Sequence, residues 1–223
     1  MKRSHYLVIV AALFASLIFS GCSPQQSEAE YAGTIKTHFF KTKNLKYPQI
    51  KGLANKNAQT KINTALRKYA EIVYQQQNRL VKQYKLDKTQ NKSIKPYFKK
   101  LTYKVVYHTH GKLSILTTNS GYAGDADGFL YIKGFNFDTN TGQSRSLRSN
   151  FSSFEQYKKA NAYALNYMKD RKKSYPFASN STFIYGHTYF WTNQGLTVVF
   201  QVYKVRPYAY GPAYIPIPKS YLK

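Results

Sequence analysis

Cysteine occurs once in this 223-residue chain, tryptophan once, methionine twice, and Asp and Glu together nine times. One cysteine excludes an internal disulfide, so the fold must rest on its buried core. So few carboxylates, set against 34 Lys and Arg, leave little material for paired acid–base chemistry. Gly-x-Ser-x-Gly, His-Glu-x-x-His and the phosphate loop are all missing, so no hydrolase or nucleotide machinery is indicated. Long apolar runs are scarce too. Tyr6 to Phe19 covers 14 residues, short of the roughly 20 that cross a bilayer as a helix.

That short run follows Lys2 and Arg3 and leads into small residues before the lone cysteine, the pattern of an export signal. Phe19-Ser20-Gly21-Cys22 resembles a bacterial lipobox, with Phe19 where an aliphatic residue is usual. In such a tetrad the cysteine takes a diacylglyceryl group and becomes the new N-terminus. The expected organisation is a lipoprotein signal peptide over 1–21 and a lipidated polar tether over 22–30. Each buried acyl CH₂ contributes about 0.8 kcal/mol, so two or more chains anchor stably. The mature protein is expected on the outer face of the cytoplasmic membrane of a Gram-positive cell. There it meets no ATP, nicotinamide cofactor or genomic nucleic acid, so none is expected as cofactor or partner.

Positive charge and aromatic rings are abundant. There are 22 Tyr and 14 Phe, which fits a packed globular domain and not a disordered basic tail. Residues 36–104 hold 18 Lys and Arg against two acids, and residues 148–223 hold 11 against two. The band between them, 105–147, has three of each. A field of one sign attracts polyanions. In this compartment these are teichoic acid, anionic headgroups and wall glycan. The same lysines also serve plain solvation.

Residues 31–46 suggest a strand with Ile35, Phe39 and Leu45 inward, and Tyr47-Pro48-Gln49-Ile50 suggests a break. Ala58, Ile62, Leu66, Tyr69, Val73, Leu80 and Tyr84 make an apolar helical stripe over 56–85, capped by Asn55 or Asn57. Its other face is basic, a composition that could lie on a membrane, but a stripe of this kind more commonly packs on a sheet. A polar linker over 88–95 precedes a hairpin about Gly111 and a strand over 129–137. Ser152 and Glu155 have capping-box spacing and open a second helix to about Lys172, with Tyr163, Tyr167 and Met168 inward. Strands over 182–192 and 196–203 flank Asn193-Gln194-Gly195, and the proline-rich tail permits only an edge strand. The expected class is α+β, antiparallel sheet with two main helices packed on it.

Several ordered motifs carry a family resemblance. They are Asn136-Phe137-Asp138-Thr139-Asn140-Thr141-Gly142, Phe190 to Leu196, Val202 to Pro212 and Ile215 to Leu222. Upstream, Tyr47-Pro48-Gln49-Ile50, Gly52-Leu53 and Ile62-Asn63 fit as well. Together they resemble the RsiV-like extracytoplasmic domain family, which includes the non-catalytic domain of the peptidoglycan deacetylase PdaC. The resemblance implies an N-terminal half over 31–100 and a C-terminal half over 101–223. It also implies an exported binding or sensing module with no catalytic residues; in RsiV the domain recognises lysozyme. The loop Gly121-Tyr122-Ala123-Gly124-Asp125-Ala126-Asp127-Gly128 departs from the family by lacking a histidine.

Two places invite site chemistry. His108 and His110, with Asp125 or Asp127, are the makings of a metal site, but three or four ligands would have to converge from separate segments. The run 124–128 has a faint calcium-loop look without the full set of acidic ligands. More commonly such residues are ordinary surface groups, and no metal is expected. The better candidate is a tyrosine-rich loop in which Tyr203, Tyr208 and Tyr210 stand beside Lys204 and Arg206. Rings stack on sugars and cations hold phosphate or carboxylate, although the same residues could simply pack the tail. The expected function is non-enzymatic binding of an anionic wall polymer or glycan, with peptidoglycan or teichoic acid as partner. The alternatives are a sensor or inhibitor of a secreted protein, and a weak metal-dependent hydrolase.

Overall fold

The structure is a computed structural model and describes residues 33–109 and 111–223. Cys22 and the segments 1–21 and 22–30 lie outside the described residues, as does His110. The elements run β1 (Thr34–Phe39), β2 (Lys46–Lys51), α1 (Lys56–Gln90), β3 (Phe98–Thr109), β4 (Lys112–Tyr122) and β5 (Phe129–Asp138). Then come α2 (Phe154–Lys169), β6 (Thr188–Thr192), β7 (Gly195–Phe200) and β8 (Ala213–Pro218). They form three antiparallel sheets, β1-β2, β3-β4-β5 and β6-β7-β8, and the class is α+β as expected.

Asn55 caps α1, its side chain accepting from Ala58 N at 3.0 Å. The stripe buries Ala58, Ile62, Leu66, Tyr69, Ala70 and Val73, all in the first half of the helix. Ile62 and Leu66 pack with Ile50 and Leu53 and with Leu113, Ile115 and Phe137 from the middle sheet, and Tyr69, Ala70 and Val73 pack with Leu45, Tyr47 and Leu101. Each fully buried Leu or Ile in such a cluster contributes about 1.5–3 kcal/mol. The second half of α1 overshoots the core and is tied down by Tyr97, whose hydroxyl donates to Asp87 at 2.9 Å. The expected linker over 88–95 is therefore helical as far as Gln90.

The segment expected to break the chain, Tyr47-Pro48-Gln49-Ile50, is strand β2, with Pro48 opposite Thr37 on β1. Pro48 lacks an amide hydrogen, yet β2 is an edge and loses no ladder bond there. The edge is closed by Asn63 of α1, which accepts from Ile50 N at 2.8 Å and donates to Ile50 O at 2.9 Å. Leu45 is fully buried, whereas Phe39 is 53 % exposed at the hairpin tip, against expectation.

Helix α2 also starts one residue later than the sequence suggests. Ser153 is the cap, accepting from Gln156 N at 3.0 Å, and Gln156 reaches back to accept from Ser152 N at 2.7 Å. The capping box is thus Ser153 with Gln156, while Glu155 pairs with Lys158 on the surface at 2.8 Å. Tyr157, Ala160, Ala164 and Met168 face the third sheet and join Trp191, Val198, Phe200 and Ile215 in one cluster. The stretch 182–187 is loop and only Thr188–Thr192 is strand. β8 is an edge strand, as its prolines require.

The middle and third sheets meet where β5 lies beside β6. Gly134 makes this approach possible: a Cβ there would stand 2.4 Å from Tyr189 O. Behind it runs a buried polar chain. Trp191 N donates to Ser114 Oγ at 3.0 Å, Ser114 donates to Asn136 Oδ1 at 2.5 Å, and Asn136 Nδ2 donates to Tyr189 O at 2.8 Å. The free edge of β5 is closed by side chains from the third sheet. Ile132 donates to and accepts from Gln201 at 2.9 and 2.7 Å, and Gly134 N donates to Thr188 at 2.6 Å.

Candidate binding site at the seam of the two sheets

The tyrosine-rich loop spans the gap between β7 and β8. Tyr203 and Tyr208 stand together, ring centroids 5.5 Å apart, and Tyr210 is exposed. Tyr203 adopts a left-handed φ of 65° and donates its hydroxyl to Asp127 at 2.9 Å. Arg206 turns inward. Its Nε donates to Gly211 O at 3.1 Å, a second guanidinium nitrogen donates to Pro212 O, and the group lies 5.8 Å from the Tyr175 ring. That guanidinium spends two of its five N–H donors on holding the loop closed. Lys204 is exposed but points to a different groove, beside His187. The five residues singled out by sequence therefore do not form one cation-and-ring site.

The described members of the metal combination, His108, Asp125 and Asp127, are not brought together. His108 pairs with Leu113 near the β3–β4 turn, while Asp125 and Asp127 follow the far end of the 11-residue β4. The separation is about 35 Å along an extended strand. Among the described residues no three His, Cys, Asp or Glu groups converge.

A different site lies at the seam. Tyr107 and Lys112 from the β3–β4 hairpin, Asp138 and Arg145, Asn150, Trp191, Lys219 and Lys223 enclose a cleft of about 430 Å³. Its floor is Trp191, held in place by indole Nε1 donating to Asn150 Oδ1 at 2.7 Å. Tyr107 leans on that ring at 6.4 Å and the Lys112 ammonium lies 5.4 Å from its centroid. Trp191 is 5 % exposed, so it shapes the floor more than it offers a stacking face.

Asp138 is the one acidic side chain lining the cleft, and it is already neutralised. Arg145 bridges to it at 2.7 Å, and the amides of Asn140 and Thr141 donate to it at 3.0 Å. Partial burial alone would raise this carboxyl, but Arg145 and the two amides outweigh it and hold the group below its ordinary value. The same contacts explain the Asn136–Gly142 motif. Asn136 ties the sheets, Phe137 fills the core, Asp138 nucleates an Asx turn, and Gly142, at φ 72°, passes against Ala58 of α1. With Asp138 matched by Arg145, Lys112, Lys219 and Lys223 give the cleft a net positive lining. The sequence offers no local sign of it, because these lysines are scattered over more than 100 positions and only the sheet packing gathers them.

Comparison with known proteins divides the chain at this seam. Residues 36–130 match the family model described as Deacetylase PdaC, and residues 147–220 match the model described as protein of unknown function DUF3298. A segment similar to PdaC is thus followed by one similar to DUF3298, the likeness that the ordered motifs implied. A crystal structure of a DUF3298 family member from Bacteroides fragilis has the same fold: 17 % identity, a TM-score of 0.60, 84 % of this chain and 88 % of that one. A DUF3298 family protein from Pseudomonas aeruginosa aligns at 15 % identity with a TM-score of 0.49, over 85 % of this chain and 90 % of the other. No curated protein matches the sequence. The two matched segments leave 131–146 between them. The cleft draws Tyr107 and Lys112 from the first segment, Trp191 and Lys219 from the second, and Asp138 and Arg145 from between.

Proposed function

We propose that this is a non-enzymatic, lipid-anchored surface protein whose seam cleft binds an acidic group of a wall polymer or glycan. The observation that carries the reading is the convergence of Lys112, Lys219 and Lys223 in a walled cleft whose one acidic side chain is matched by Arg145. Ligand sites commonly form at such junctions between units. A cleft of about 430 Å³ accommodates a sugar unit with its carboxylate or phosphate, and ammonium groups hold that charge without demanding one geometry. No helix among the described residues is long and apolar enough to cross a membrane. Attachment through Cys22 would supply the membrane link, and mass spectrometry of the detergent-extracted protein tests it by the added acyl mass. The outer face of a Gram-positive membrane would bring the cleft to peptidoglycan and teichoic acid.

Retention of the full chain, in detergent, on purified peptidoglycan tests the function. The wild-type protein is expected to bind at low salt and to weaken with ionic strength. Lys112→Gln with Lys219→Gln should reduce retention roughly tenfold. Unchanged retention by that double variant would remove the cleft from the function.

One observation favours a second reading, a sensor of a secreted protein. Phe154, Phe177, Phe183 and Tyr185 are 63, 49, 55 and 79 % exposed around one groove of the DUF3298 segment. Clustered exposed rings mark protein interfaces. Salt-resistant capture of a secreted protein, abolished by Phe183→Ser with Tyr185→Ser, is the outcome that would establish it.

A further inference from the structure

A second cationic cleft lies at the tip of the β1–β2 hairpin, where Lys41, Lys43, Lys46 and Lys100 surround Phe39 and Thr42 over about 730 Å³. It is separate from the seam. Lys100 and Tyr107 both lie on β3, and seven residues of strand put about 20 Å between the two clefts.

Several independent features point to an anionic ligand here. No acid lines the cleft, and neither of the ion pairs among the described residues involves its lysines. Like charges lining one cleft repel, and an anion among them offsets that repulsion. Lys41 holds a φ of 61°, a left-handed conformation in which glycine is the undemanding residue, yet the chain places a long cationic side chain there. Phe39 is 53 % exposed, with the Lys46 ammonium 6.0 Å from its ring.

We propose that this cleft is a phosphate site for a soluble phosphodiester chain. The four ammonium groups take successive phosphates, and Phe39 covers the polyol between them. Lysine suits this ligand better than arginine would. Its ammonium is a point charge on a flexible stem and tolerates phosphates of varying orientation. A bilayer surface is a poorer fit, since membrane-lying elements bury a broad apolar face and this cleft has one exposed ring. The site needs no part of the seam cleft, so either can fail alone.

The probe is a glycerol-phosphate oligomer titrated into the full chain in neutral detergent, with binding followed at several salt concentrations. Three to four phosphate contacts give a log–log salt slope of about −2 to −3. Lys43→Gln with Lys46→Gln and Lys100→Gln is expected to weaken binding at least tenfold and flatten that slope, while Lys36→Gln with Lys51→Gln, exposed lysines that line neither cleft, leaves both unchanged. Acetylation of lysines on the wild-type protein gives a second readout that requires no variant to fold. The oligomer should protect Lys41, Lys43, Lys46 and Lys100 from acetylation and leave Lys36 and Lys51 reactive. Unchanged affinity in the triple variant, or no protection by the oligomer, would overturn the proposal. So would protection of the four lysines by anionic phospholipid vesicles and not by the oligomer, which would make the tip a membrane contact.

Discussion

The Tyr203–Tyr210 loop and the seam cleft hold the same ingredients, aromatic rings and cations, but dispose them in opposite ways. In the loop the cation turns inward: Arg206 binds the carbonyls of Gly211 and Pro212, and Tyr203 binds Asp127. In the cleft the aromatic residues turn inward, Trp191 to 5 % exposure, and the lysines remain at the mouth. A cation next to unsatisfied carbonyls becomes structure, and a cation held at the rim of a walled cleft remains available. Nearness in sequence distinguishes neither case. If the contrast is sound, damage to the loop should cost stability and damage to the cleft should cost binding.

The largest effect is expected from Gly134→Val, which would break the seam on which the cleft depends. A Cβ there meets Tyr189 O at 2.4 Å and Thr188 Oγ1 at 2.7 Å, both across the sheet junction. Overpacking of this kind costs about 3 kcal/mol, and the amide bond from Gly134 to Thr188 would be lost with it. Urea unfolding should show the loss, and binding should fall in parallel because the cleft's two walls separate.

Next comes Arg206→Gln. Removing the guanidinium leaves two loop carbonyls without their charged donor, worth about 2 kcal/mol. The midpoint of urea unfolding should fall while retention on peptidoglycan stays within twofold of wild type. Lys112→Gln with Lys219→Gln should do the reverse, losing roughly tenfold in retention with stability nearly unchanged, since neither side chain holds a carboxylate. A Tyr208→Ala variant that lost as much binding as this pair would return the site to the loop.

These cases also show how far the sequence can be read. The amphipathic period predicted α1 and its buried face, because Ala58 to Val73 interact with one another through spacing along the chain. The hairpins about Gly111 and Gly195 were equally plain, since turn chemistry is local. The strand β2 is not legible locally because its edge is closed from a distance, by Asn63, and the cap of α2 is ambiguous by one residue because Ser152 and Ser153 are equally suited to it. Gln201 does for β5 what Asn63 does for β2. Family motifs around Asn63, Asn136 and Asp138 are thus visible as patterns, but their work is tertiary, a side chain completing another element's backbone bonds. The site was the least legible part. Lys112 and Lys223 lie outside every motif, Lys219 stands within Ile215 to Leu222 with nothing local to set it apart from other surface lysines, and the motif's Tyr203 helps hold the loop through Asp127.

The smallest effect tests the seam itself, through Tyr189. Burial raises its hydroxyl from the ordinary 10.0 to about 12, and in the fold it donates to Arg145 O at 2.8 Å. Tyr189→Phe should lower stability at neutral pH by about 1 kcal/mol, the worth of that bond. The sign of the pH effect follows from the raised value. The unfolded chain ionises this tyrosine near pH 10.0 while the fold keeps it neutral to about 12. Its stabilising contribution is therefore complete below pH 10.0 and disappears as pH climbs through that interval. Each pH unit there removes about 1.4 kcal/mol from the wild type and nothing from the phenylalanine variant. The gap between the two proteins should close near pH 11 and then invert, after subtraction of the tyrosines they share. A gap that held constant from neutral to strongly alkaline pH would mean that Tyr189 is solvated, and that the two sheets are not closed around it.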